Sequence, residues 1–161
     1  MSSTIPAFKA ALLARLEQIP ASTWGGDQPT VARHDTQPDE PGPLIVLIKG
    51  ATPGDPTGGN YGSGQQTASF GRLGREERYV VEVDTIAVGA ATATAPEVEQ
   101  QAYALAAVIE DSVRAWAHET PSFGGVVRWC LVTGLGDEAY RAPGGRAARV
   151  TIDLAVAARI Y

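Results

Sequence analysis

Few side chains in this sequence could do chemistry. The two histidines sit beside carboxylates, as His34-Asp35 and His118-Glu119. A base held by an orienting carboxylate is one way to activate a nucleophile. Adjacent residues project in different directions on a strand or helix, however, so neither pair is arranged as a dyad. No second histidine lies at metal-ligand spacing. His118 also has a simpler account near a helix C-terminus, where a cation is favoured by the dipole. Cys130 is the only cysteine and lies in the apolar run Val126-Val127-Arg128-Trp129-Cys130-Leu131-Val132. A buried, inert thiol is expected there, and no intrachain disulfide can form.

Residues 50–74 are dominated by Gly, Pro, Ser, Thr and Gln, which invites a phosphate-binding reading. That reading fails on two counts. Lys49 precedes the segment, whereas a phosphate loop needs its lysine at the end. The segment also leads into a strand rather than a helix, unlike a dinucleotide-binding turn. Glu82, Asp84 and Asp153 could gather as carboxylates on one face of a sheet. Arg149 and Arg159 could pair with them if their strands are neighbours. Nothing fixes a ligand geometry for a divalent metal. The expectation is a protein without catalytic residues, metal or cofactor, and therefore not an enzyme.

The elements that would hold these residues can be read from periodicity. Residues 4–19 form a helix, with Thr4 as its cap, Pro6 in its first turn and Ile5, Phe8, Leu12, Leu16 and Ile19 as an apolar stripe. Lys9, Arg15, Glu17 and Gln18 fall away from that stripe. A short strand follows at 30–34, and the compact apolar run 44–48 reads as a strand buried on both faces. From 76 to 88 a long strand alternates, with Tyr79, Val81, Val83 and Thr85 on one side and Glu82 and Asp84 on the other. A second helix opens at Pro96-Glu97 and runs to 118 on the stripe Val98, Ala102, Leu105, Ile109, Val113 and Trp116. Strands at 126–133 and 147–160 close the chain, separated by a glycine-rich turn region, 134–145. The last strand is long enough that part of it is expected to reach beyond its own domain. The order α-β-β-β-α-β-β implies one α+β domain spanning residues 1–161. Its sheet is largely antiparallel, with both helices on one face and a long flexible loop at 50–74.

Composition narrows the function classes. A net charge of −5 without a basic run argues against tight nucleic-acid binding. It leaves room for a surface that DNA merely passes. No apolar stretch approaches the roughly 20 residues of a membrane span, and no signal-peptide pattern opens the chain. The chain is expected to fold in a reducing cytoplasm.

This layout of helix, strands, long loop, long helix and closing strand pair resembles the tail terminator proteins of long-tailed bacteriophages. The resemblance covers essentially the whole chain and rests on organisation, because the family has no catalytic signature. It implies a hexameric ring that caps the tail tube and joins it to the head-neck connector, with genome DNA passing through the lumen. Its place would be the virion, after assembly in the host cytoplasm. Under that reading Tyr61, Phe70, Leu73, Arg149 and Arg159 are interface candidates, and Glu82, Asp84 and Asp153 are candidates for facing the lumen. Another neck adaptor or a tail tube subunit is the nearest alternative. A small enzyme or ligand-binding domain with its site under residues 50–74 is a more distant one.

Overall fold

The helical stripe near the N-terminus folds as α1 (Ile5–Glu17), and Phe8, Leu12 and Leu16 are completely buried. Two details depart from expectation. Thr4 makes no side-chain cap; its hydroxyl instead donates to Glu77 Oε2 at 2.7 Å. Glu77 reaches across from a strand and also accepts from the Thr4 backbone N–H at 2.8 Å and the Ser3 hydroxyl at 2.6 Å. A buried carboxylate thus stabilises the positive end of α1 in place of a local cap. Lys9, expected to fall away from the stripe, is buried. Glu77→Gln leaves an amide facing three donors and is expected to lower stability by about 1–3 kcal/mol, readable by urea denaturation.

The computed structural model describes residues 3–33, 42–49, 75–142 and 145–160. Beyond α1 these comprise β1 (Thr30–Arg33), β2 (Leu44–Ile48), β3 (Arg75–Val88), α2 (Ala95–Glu119), β4 (Trp129–Ala142) and β5 (Gly145–Ile160). The strands make one sheet in the order β1-β2-β3-β5-β4, antiparallel throughout except for the parallel β1–β2 pair. The fold is α+β, with both helices on one face.

α2 is positioned by its apolar stripe: Val98, Ala102, Leu105, Ile109, Val113 and Trp116 are all buried, against β3 and β5. Glu97 Oε2 accepts from the Thr94 backbone N–H at 2.7 Å and its hydroxyl at 2.9 Å, fixing the helix start. Those two bonds hold the Glu97 carboxyl below the usual range. At the far end, buried Phe123 adopts φ 49° and packs edge-on to Trp116 at 4.8 Å. Packing therefore holds a conformation that a bulky residue rarely adopts.

The closing hairpin corrects two expectations. Residues 134–142, read as turn, belong to β4, which pairs with β5 as far as Ala142↔Gly145. Long-range pairing overrides the local turn preference of Gly134 and Gly136. A bulge lies between Val132 and Gly134, where any Cβ on Gly134 would sit 2.8 Å from Asp153 Oδ2. β5 does not reach beyond its domain. It is an inner strand, bonded to β3 from Ala147 to Ile160 and to β4 from Gly145 to Ala157. Its 16 residues lie between two neighbours of 14 each.

Cys130 lies buried on β4, and burial pushes its thiol up to about 12. Below pH 9, the ordinary thiol value, this stabilisation is whole; it is lost as pH rises from 9 towards 12. A thiol reagent at neutral pH is expected to label Cys130 only on unfolding, so stoichiometric labelling of the native protein would contradict this burial.

Candidate functional site

The sheet brings the three carboxylates of interest onto its helix-free face. Glu82 stands directly opposite Asp153 across β3 and β5, and Asp84 opposite Thr151. Alternation puts all three on the side away from Val81, Val83, Ile152 and Leu154, which pack under the helices. They do not form a cluster of like charge. Asp84, only 2% exposed, bonds Lys49 Nζ at 3.0 Å and accepts from the Thr151 hydroxyl at 2.7 Å. Lys49 also reaches Glu82 at 3.3 Å. Arg149 lies 3.9 Å from Asp84 and pairs more closely with Glu138 of β4. A line of alternating charge thus crosses four strands or their ends, from Lys49 to Glu138. The cation that organises it, just past the end of β2, is one that sequence reasoning passed over. Its signal was parity, since Lys49 shares a face with Leu47 and Ile45.

Arg159 does not join this line. It stands opposite Glu76, six positions along β3 from Glu82, which is about 20 Å at strand rise. Among the described residues, no group of three or more His, Cys, Asp or Glu side chains could hold a metal ion. His118 is exposed in the last turn of α2. Glu119 faces away from it into a bidentate pair with Arg15, at 2.8 and 3.1 Å, which holds the Glu119 carboxyl below its usual range. His34, Asp35, Tyr61, Phe70 and Leu73 lie outside the described residues.

Where the described surface is concave, it offers little chemistry. A groove of about 510 Å³ between the end of α1 and the middle of α2 is lined by Ile19, Pro20 and Val108, among others. Its charged residues are already paired, Arg15 with Glu119 and Asp111 with Arg114. The carboxylate beside its hydroxyls Thr23 and Ser112 is Asp111, which Arg114 already holds.

The edge formed by β4 is different. Leu131, Leu135 and Tyr140 are 57%, 54% and 39% exposed, and Tyr103 of α2 beside them is 43% exposed. Among the described residues these four are the exposed large hydrophobics. The bulge sets the faces of those on the strand. Leu131 and Tyr140 stand opposite Ala155 and Ala147, whereas Leu135 stands opposite Ile152 on the helix side. Leu side chains therefore emerge on both sides of one edge. Partial loss of hydration, then Asp137 beside it, pushes the Tyr103 phenol above its ordinary value. A strand edge also presents unpaired backbone donors and acceptors, which makes it a template for another strand. This edge went unread in the sequence because residues 134–142 looked like turn. No protein-family model and no curated protein matches the chain. No helix among the described residues is long and apolar enough to cross a membrane.

Proposed function

We propose that this protein is a structural subunit, not an enzyme, and that it assembles with copies of itself into a ring of the tail terminator kind. The observation behind this reading is the β4 edge: three of the four exposed large apolar side chains of the described surface, Leu131, Leu135 and Tyr140, lie on this one edge strand. Scattered apolar residues on a surface need no explanation, but a concentrated strip beside an open sheet edge marks an association surface. The one-sided placement of the helices supports the same reading. A sheet closed into a ring with its helices outward presents its helix-free face, with Glu82, Asp84 and Asp153, to the lumen. A net charge of −5 keeps DNA from adhering as it passes. The layout of elements supports the phage setting, in which the ring is hexameric, caps the tail tube and meets the head-neck connector in the virion.

Light scattering and negative-stain microscopy, on the protein alone and mixed with tail tubes, test this. The expected result is a closed ring, present once at the head-proximal tip of each tube. Leu131→Lys with Leu135→Lys is expected to abolish the ring while leaving the melting temperature within about 2 °C, since both sites are exposed. Monomer at high concentration and no association with tubes would sink the reading. Rings stacked along the tube would instead make the chain a tube subunit.

A further inference from the structure

We infer that the β4 edge of one copy pairs, antiparallel, with the β1 edge of the next, so that Asp137 stands opposite Arg33 of the neighbouring copy. This rests on the ring reading above and assigns the part of the junction that lies beyond the bulge, from Asp137 to Tyr140.

A ring that joins two different structures has two different ends. Its symmetry is then cyclic, and every subunit contact is heterologous: the surface given is not the surface received. An exposed β4 edge therefore cannot be satisfied by another β4 edge, because that contact is two-fold. It needs a different acceptor on the neighbour. Among the described strands the sheet has one other edge, β1.

Strand direction permits the match. β4 is antiparallel to β5, β5 to β3 and β3 to β2, while β1 is parallel to β2. β1 therefore runs opposite to β4, and a neighbour related by rotation about an axis along the strands presents β1 antiparallel to β4. Antiparallel pairs outnumber parallel ones in sheets generally.

Side-chain alternation and charge then select a register. On β1, Val31 and Arg33 lie on the helix side, opposite Val46 and Ile48, while Ala32 lies opposite Leu47 on the helix-free side. On β4, Asp137 and Ala139 lie on the helix side, opposite Val150 and Ala148, and Glu138 and Tyr140 lie on the other. Only even shifts keep both faces continuous. Of these, the one placing Arg33 against Asp137 gives an opposite-charge pair across the junction. It also sets Val31 against Ala139 and Thr30 against Tyr140. Arg33 has a contact within its own chain, and a guanidinium with five donors can serve two partners at once. The register lies wholly beyond the bulge at Val132 and Gly134, where β4 is regular.

Disulfide trapping tests the register. In a Cys130→Ser background, Val31→Cys with Ala139→Cys is oxidised, and Thr30→Cys with Tyr140→Cys serves as a second pair in case the first disturbs the core. Expected is a ladder of covalent multimers ending at the closed ring, from the paired variants and from neither single variant. Asp137→Arg is expected to weaken assembly at least about fivefold, and adding Arg33→Asp to restore it. Rings seen by light scattering without a ladder would overturn this junction and leave the ring reading standing. A covalent dimer from Ala139→Cys alone would overturn it in favour of a two-fold β4 pair. Monomer under all conditions would remove both.

Discussion

Phe8→Ala is expected to lower the unfolding free energy by about 3–5 kcal/mol. The ring is completely buried where α1, β3, α2 and the segment after α2 converge. It meets Tyr79 edge-on at 6.2 Å, lies nearly parallel to Trp116 at 6.4 Å and meets Phe123 edge-on at 6.4 Å. Alanine would lose the transfer energy of the ring and leave a cavity among three aromatic walls. Those walls are anchored in a strand, a helix and a backbone held at φ 49°, so they cannot easily close in. For a chain of this size the melting temperature should fall by roughly 10 °C or more. Near-ultraviolet circular dichroism should change with it, because Trp116 loses its stacking partner. Phe8→Leu keeps much of the volume and should cost about half as much or less. A Phe8→Ala variant within about 1 kcal/mol of the parent would mean that α1 is not docked in this way.

The second large effect concerns Asp84. Asp84→Ala removes the carboxylate between Lys49, Arg149 and Thr151. Breaking a buried pair by deleting one partner costs about 3–5 kcal/mol, since the other charge stays buried without compensation. Lys49 keeps Glu82 at 3.3 Å, and Arg149 keeps Glu138, so the lower end of that range is expected here. The sharper test is the double variant Lys49→Met with Asp84→Leu. Removing both charges lifts the desolvation cost as well as the attraction, so most of the lost stability should return. The unfolding free energies of the parent, the single variants Lys49→Met and Asp84→Leu, and the double variant form a double-mutant cycle whose coupling term should exceed about 1 kcal/mol. High salt should leave that term nearly unchanged, because both groups are shielded from solvent. A coupling near zero would show that the outer-face charges act independently and that Asp84 is not the hub of the line.

This charge line also bears on the proposed lumen. Asp84 is shut away and neutralised, whereas Glu82 remains 17% exposed and Asp153 partly exposed. In the proposed ring, repulsion of passing DNA would fall chiefly to Asp153, since Glu82 shares Lys49 with Asp84 on the β2 side of β3.

Much of the fold was legible because periodicity is a local signal. The stripe from Val98 to Trp116 has one burial solution, and the structure adopts it residue for residue. The alternation of Val150, Ile152, Leu154 and Val156 likewise fixes which side of β5 meets the core. The candidate site was less legible. The carboxylate face followed from parity, but the neutralising role of Lys49 depends on β2 lying beside β3, which no local pattern states.

By itself the sequence determined element types, their order and the faces they bury, since each follows from residue spacing along one segment. Only the tertiary structure decided that Gly134 and Gly136 lie within a strand, that β5 is an inner strand, and that β4 is an exposed edge. Those outcomes depend on pairing between segments far apart in the chain, where a long ladder of backbone hydrogen bonds outweighs the turn preference of two glycines. The absence of a recognisable reaction centre was a local reading. The exposed apolar edge along Leu131, Leu135 and Tyr140 came from the sheet.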